Sequence, residues 1–457
     1  MAIVVCILST AIAMRTAFNR HPDEIVHLDA FCYFEKHYSP PLPDSERLIY
    51  IPDGSSRVFN GEVVYWLWGR MGALVAPTIK FSQMTLRASG VLPRENFDAQ
   101  SSFVFLPLII KTYGCQTIVQ LYRLFNTGLL ALTLFVLLYF GRQDAWLLML
   151  AATLLCIPQV IYVYSYANSD AWGLSMSAFL FAFAVVQRKL LFSLRATLLL
   201  GLLTALVLLS KQPYWLTLPF AYLWMVFGES QRQPHTWWLS VQKGASRVTL
   251  LVVTVFVLVA PFKILPQLSI PDYQQRVVHM LETRAMEGRR PSNLTYPGFH
   301  LAARGAPFAK VWRDPAWYQS TATSLYGKFG YMSEALAPAQ YLTIAALFMM
   351  AVASTYGFAV VRYKQLASAN KLALWVAPLF IGLNLFTSLY HSWTFDFQPQ
   401  GRYLFPSIIP LTLMMAGTYF VEPRGWQRVR AAGWLVACGL CLYTLYRYVL
   451  TNPNLLL

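Results

Sequence analysis

Two adjacent carboxylates near the start of the chain offer its clearest chemistry. They lie in His21-Pro22-Asp23-Glu24-Ile25-Val26-His27. At the mouth of a helical bundle, the adjacent carboxylates of Asp23 and Glu24 can serve as a general base that takes a proton from an incoming hydroxyl. On a helix, Asp23 and His27 are four apart and share a face. Glu24 and His27 also form Glu-x-x-His, a metal-ligand spacing, which leaves a divalent cation open without assigning one. The structural alternative is an N-terminal charge pair, because acids are favoured at the positive end of a helix. The local sequence alone leans slightly towards that alternative.

Four further polar groups stand where apolar runs end. Asn168-Ser169-Asp170 suits a helix cap, and a cap can also orient a substrate. Lys211-Gln212-Pro213 offers a lysine that snorkels to headgroups or holds a lipid phosphate. Ser324 to Tyr331 carries Gly327-Lys328-Phe329-Gly330, whose glycines permit close backbone approach and whose aromatics can cover a sugar face. Gln400-Gly401-Arg402-Tyr403 puts an arginine where burial is costly unless it is paired. Its partner is a phosphate, which suits bidentate contact, or a carboxylate such as Asp396. Another option is an interfacial anchor. His235, His279, His300 and His391 have no evident partners and read as solvated or packed. Asn293-Leu294-Thr295 matches a glycosylation sequon and reads as chance.

The elements that position these groups follow from composition. Of 457 residues, 57% are hydrophobic and only 12% charged, against about 25% charged in a soluble domain. Such a chain needs a bilayer as solvent. Apolar stretches at 2–18, 117–140, 145–164, 171–187, 191–210, 213–228, 248–266, 340–361, 372–391, 402–421 and 432–450 read as about eleven spans of an all-α polytopic bundle. The shorter ones, 171–187 and 213–228, suit tilted or half-buried helices. The first stretch reads as a span rather than a signal peptide, since it has no basic leader and many spans follow.

With the N-terminus cytoplasmic, alternate connectors carry Arg142; Arg188 and Lys189; Arg232, Lys243 and Arg247; Arg362, Lys364 and Lys371; and Arg424, Arg428 and Arg430. The opposite short connectors, 165–170 and 392–401, hold no Lys or Arg, in agreement with the positive-inside rule. The net charge of +16 therefore reads as topology and contact with membrane lipids, not as nucleic-acid binding.

One domain, 1–457, then carries two long outer loops, 19–116 and 267–339. In the first loop, Ile25 to Tyr38 reads as a helix lying along the membrane surface, ended by Pro40, Pro41 and Pro43. Cys32 and Cys115 share that loop, so a disulfide between them is open. Cys6, Cys156, Cys438 and Cys441 read as small core residues, although Cys438 and Cys441 have CxxC spacing.

Taken in order, Pro22-Asp23-Glu24 with His27, Asn168-Ser169-Asp170-Ala171, Gly327-Lys328-Phe329-Gly330 and Gln400-Gly401-Arg402-Tyr403 resemble the GT-C superfamily of integral-membrane glycosyltransferases. They most resemble a bacterial membrane-protein family with Pro-Asp-Glu-x-x-His, Asn-x-Asp-Ala, Gly-x-Phe-Gly and Gln-Gly-Arg-Tyr motifs. The resemblance spans nearly the whole chain. It implies an enzyme of the bacterial cytoplasmic membrane with its active site on the outer side. A sugar would pass, with inversion, from a polyprenyl-phosphate donor to a hydroxyl on a glycan, lipid or protein acceptor.

On this sequence the resemblance implies Asp23, with Glu24 as understudy, as the base. Arg402 and Lys211 would meet the leaving phosphate. Asn168, Asp170, His27, Lys328 and Tyr403 would line the substrate site. No metal is assigned, since the second long loop lacks a carboxylate pair like that of metal-dependent oligosaccharyltransferases. Almost nothing precedes the first span, unlike the family's cytoplasmic start, so Met1 reads as a truncated start.

Two rival readings are a flippase or transporter of lipid-linked sugars and a surface-polysaccharide polymerase or ligase using a lipid diphosphate donor. A transporter would show polar residues near the midplane and paired broken helices. The sequence crowds its polar groups at one surface instead.

Overall fold

The computed structural model describes residues 1–16, 21–43, 51, 53–75, 119–186, 193–229, 237–330, 332, 334–366, 368–419 and 422–451. Among them the chain is helical apart from one two-residue β pair. In order the helices are α1 (Ala2–Arg15), α2 (Glu24–Lys36), α3 (Val63–Val75), α4 (Val119–Gly141), α5 (Ala145–Leu155), α6 (Pro158–Val163), α7 (Asp170–Val186), α8 (Leu194–Leu208) and α9 (Thr217–Glu229). There follow α10 (Trp237–Lys263), α11 (Leu265–Ser269), α12 (Tyr273–Arg284), α13 (Ala309–Trp312), α14 (Pro315–Tyr326), α15 (Pro338–Arg362), α16 (Ser368–Thr394), α17 (Ile408–Tyr419) and α18 (Arg424–Thr451). Strands β1 (Lys328–Phe329) and β2 (Glu334–Ala335) pair antiparallel between α14 and α15.

Among the described residues, four helices are long and apolar enough to cross a membrane by themselves: Val119–Gly141, Pro338–Gln365, Asn370–Thr394 and Arg424–Leu450. Ala2–Arg15, Ala145–Leu155, Asp170–Val186 and Leu194–Leu208 are apolar but shorter. Helix also occupies the other stretches read as spans, with interruptions that prolines explain. Pro158 closes α5 and opens α6, because it has no N–H to continue the ladder and fits the first helical turn. The stretch 213–228 begins as a 3-10 turn, Gln212–Leu216, and 402–421 begins as a 3-10 segment, Gly401–Ser407. Arg402 therefore sits in a tight turn ahead of α17, not on the α-helix itself.

Helix α7 lies at the centre. It is buried on every face from Asp170 to Ala178, as expected of a helix with apolar or small residues all round. One apolar cluster joins α7 to α1, α4, α5, α8, α17 and α18. A satellite cluster of Leu301, Val311, Trp317 and Leu389 fastens the second long loop to α16.

The first loop differs from its expectation as a surface helix. Helix α2 is buried from Val26 to Glu35. Its acids Glu24, Asp29 and Glu35 are buried, and only Lys36 at its end is exposed; Tyr122 Oη, for example, donates to Glu35 Oε1 at 2.7 Å. Gly69 lets α3 lie directly on α2, since a Cβ there would stand 2.6 Å from the Phe31 carbonyl oxygen. The helix ends at Lys36, with His37 extended, before any of the prolines. Cys32 is disulfide-bonded, while Cys115, its expected partner, lies outside the described residues. The four other cysteines are free. Cys156 Sγ approaches Cys438 Sγ at 3.2 Å, so the close thiol pair is not the CxxC.

Candidate active site at the helix ends

The turn between α1 and α2 sends its two acids in different directions. Asp23 caps α2 in the left-handed region, at φ 57° and ψ 14°, a conformation that aspartate tolerates better than most residues. Glu24, the first helical residue, points into the bundle. Its two carboxylate oxygens accept from Arg123 Nε and Nη2, each at 2.7 Å. Arg123 Nη1 also donates to the carbonyls of Ala13 (2.9 Å) and Thr16 (2.6 Å), at the end of α1, where the helix has no partners of its own to offer the last carbonyls. Both side chains are fully buried. Glu24 is thus part of a clamp that holds α1, α2 and α4 together, and its carboxylate does not join the group that Asp23 faces.

Asp23 faces the other way, towards Arg402 Nη2 at 3.2 Å and Arg57 Nη2 at 3.9 Å. Arg402 Nη1 in turn lies 3.8 Å from Asp170 Oδ2, which accepts from Lys211 Nζ at 2.8 Å. Asp23 is the open member, its side chain 39% exposed, whereas Asp170 is 1% and Arg402 7% exposed. Three cations face two carboxylates, leaving one net positive charge. Among the described residues, Nε and Nη1 of Arg402 and Nε of Arg57 are buried with no hydrogen-bond partner. A guanidinium whose donors are unspent is ready for an anion.

Each member is held by its element. Gly401 is pressed so tightly to α14 that a Cβ would stand 2.1 Å from the Leu325 nitrogen. Its N–H donates to Ser324 Oγ at 2.7 Å, which fixes the turn bearing Arg402. Asn168 Oδ1 accepts from the backbone N–H groups of Asp170 (2.8 Å) and Ala171 (3.1 Å), and its Nδ2 donates to the carbonyls of Val163 and Tyr166. Asn168 caps α7 and positions Asp170; its side chain is spent within the turn rather than on a substrate.

Burial pushes the Asp23 carboxyl up, but the charges of Arg402, Arg57 and Lys211, with the Arg402 hydrogen bond, hold it below its ordinary value. Burial lowers the Lys211 ammonium, and Asp170 opposes that shift. Compared with known protein families, curated proteins and solved structures, the chain matches none.

The remaining candidates lie around this cluster. His27 is buried and shares a hydrogen bond with Tyr65 Oη at 2.8 Å. Burial, with the charges of Arg57, Lys211 and Arg402, pushes it well below its ordinary value, so it is neutral. Glu24 is taken up by Arg123 and His27 by Tyr65, and among the described residues there is no group of three His, Cys, Asp or Glu side chains that could hold a metal ion. Tyr403 Oη donates to Gln398 Oε1 at 2.5 Å, and the Arg402 guanidinium lies 5.6 Å from its ring.

Lys328 is not brought into the cluster. Its N–H donates to Gln159 Oε1 at 2.8 Å, and its ammonium joins no ion pair among the described residues. Tyr331, at the end of that motif, lies outside the described residues.

Sequence reasoning missed Arg57, which has no local signal in its loop. It also missed Arg123, which does have one: an arginine inside an expected span asks for a buried acid. His21, named only as part of its motif, supports the turn from below. It shares a hydrogen bond with Tyr162 Oη at 2.6 Å and stacks on Tyr166 at 4.8 Å.

Proposed function

We propose that this chain is a membrane glycosyltransferase that moves a sugar from a polyprenyl-phosphate donor to a hydroxyl acceptor, with inversion. In this reading it is a GT-C-type bundle of about eleven spans in the bacterial cytoplasmic membrane, with its N-terminus inside and the site at the outer surface. The reading is carried by one observation: Arg402 bridges Asp23 and Asp170, with Arg57 and Lys211 beside them, in a group drawn from widely separated segments.

The chemistry follows from charge. The donor phosphate exchanges into the unspent N–H groups of Arg402 and Arg57 and displaces Asp23 from its ion pair. The freed carboxylate accepts the acceptor's O–H proton as that oxygen bonds to the anomeric carbon. The bond from that carbon to the phosphate oxygen breaks, and the electron pair leaves on the lipid phosphate. Arg402, Arg57 and Lys211 stabilise the developing charge in a setting poor in water. Asp170 keeps Lys211 and Arg402 in place.

A transporter would require polar groups near the bilayer midplane. The cluster instead gathers at helix ends, as suits a lipid-anchored donor whose phosphate lies at the interface. The deciding experiment is Asp23→Asn with a radiolabelled polyprenyl-phosphate sugar. Transfer should fall by about 10²- to 10⁴-fold with thermal stability unchanged. Wild-type transfer by that variant would remove Asp23 from the mechanism. Movement of labelled lipid without covalent change would favour the transporter.

A further inference from the structure

Beside the acid–cation cluster lies a second polar group that the transfer scheme does not use. Glu62, just ahead of α3, is 6% exposed. Its Oε1 accepts from Asn60 Nδ2 at 2.9 Å, while its buried Oε2 has no donor among the described residues. Lys263, at the end of α10, donates to the Asn60 carbonyl at 3.3 Å and stands 5.2 Å over the Trp215 ring. Trp215 Nε1 is also buried, with no acceptor among the described residues. Asn60, Lys263 and Trp215 are themselves only half-buried.

The backbone presses this group together. Gly61 has φ +62°, and a Cβ there would stand 2.9 Å from the Phe262 carbonyl oxygen. The loop bearing Glu62 and the end of α10 bearing Lys263 can meet only across a glycine. The same elements serve the first cluster: Arg57 opens the 3-10 turn Arg57–Asn60, and Lys211 caps the turn that carries Trp215. The charge of Glu62 acts on both Arg57 and Lys211.

A carboxylate oxygen and an indole N–H left unpaired in a buried site both cost free energy. A ligand that relieves both must donate to a carboxylate, accept from an indole and an ammonium, and present a C–H face to an aromatic ring. An acyl chain could cover the ring but can neither donate to the carboxylate nor accept from the indole and ammonium. A second phosphate would be repelled by Glu62, and a cation by Lys263. A neutral polyhydroxylated ring meets every requirement. Lys263, on a flexible four-carbon stem, is the member able to swing aside and admit it.

We propose that Glu62, Asn60, Lys263 and Trp215 form a binding site for a neutral glycosyl ring beside the phosphate-binding cations. The site rests on the glycosyltransferase reading only for which molecule carries the ring.

The test uses the full-length protein in nanodiscs and two kinds of probe. Farnesyl phosphate has a phosphate and no sugar; octyl glycosides of glucose, galactose, mannose and N-acetylglucosamine, kept below their micellar concentrations, have a sugar and no phosphate. Calorimetry should show at least one glycoside bound by the wild type. Glu62→Gln should weaken that binding by about tenfold or more while leaving farnesyl phosphate affinity within about twofold. Trp215→Phe, which keeps the ring and removes the N–H, should weaken the glycoside alone. If no glycoside binds the wild type, or both variants bind as the wild type does, the sugar site is overturned. If glycoside binding depends on Glu62 but farnesyl phosphate does not bind, the sugar site stands and the donor assignment falls.

Discussion

A carboxylate that must accept a proton gains nothing from lying between guanidinium groups, yet Asp23 is 3.2 Å from Arg402 and 3.9 Å from Arg57. The resting site keeps it ionised and weakly basic. A bound phosphate would neutralise those cations and raise the carboxyl towards its ordinary value or above. With Asp23 as the proposed base, activity needs its ionised form, so the rate should fall as pH drops through the Asp23 pKa. The acid limb of kcat/KM, which reports free enzyme, should lie below the ordinary carboxylate range, and that of kcat should lie above it. Arg57→Gln should move the kcat/KM limb upward by about one pH unit. Coincident limbs in the wild type, or a limb unmoved by Arg57→Gln, would mean that these cations do not govern the base.

At the scale of elements, the Glu24–Arg123 clamp and the Asp23–Arg402 pair should separate in experiment. Arg123→Met removes the guanidinium that meets both Glu24 oxygens in the interior, and breaking such a buried pair costs about 3–5 kcal/mol. The double variant Glu24→Gln/Arg123→Met should recover much of that loss, because both charges of the pair are gone. Thermal unfolding in detergent would show this, and equal losses in the single and double variants would argue against the clamp. Gly401→Ala forces a Cβ onto the Leu325 backbone and must shift the turn that aims Arg402. Transfer should fall by about 10²-fold, with farnesyl phosphate binding weakened in parallel. Retained activity would show that the turn tolerates displacement.

For the whole molecule, the prediction concerns sidedness. Trp312 lies in the second long loop, and Trp426 opens α18 at the end of the bundle away from Arg402; both are half-exposed. In intact cells, Trp312→Cys should react with a membrane-impermeant maleimide, and Trp426→Cys only after the membrane is opened. The reverse pattern would put the site in the cytoplasm and exclude an extracytoplasmic transfer. A buried pair, Arg430 with Glu422, marks that far end and shows that not every charged group belongs to the site.

Composition and hydropathy were enough to call for a helical membrane chain, because 12% charged residues cannot cover a soluble surface of this size. They also marked the apolar runs that are helical, since a run that approaches a bilayer's thickness has few other stable forms, but not the loop helices α3, α12 and α14. Residue type alone singled out Asp23, Asp170, Lys211 and Arg402 as polar groups in costly places. The sequence had no means of separating Asp23 from Glu24, which differ by one position and are nearly alike chemically. That distinction arises from a single left-handed residue and from Arg123, ninety-nine positions from Glu24. Arg57, Glu62 and Lys263 likewise acquired their meaning only through neighbours remote in the chain. Ion pairs and orphaned polar atoms depend on three-dimensional distance, and no periodicity along the chain records it.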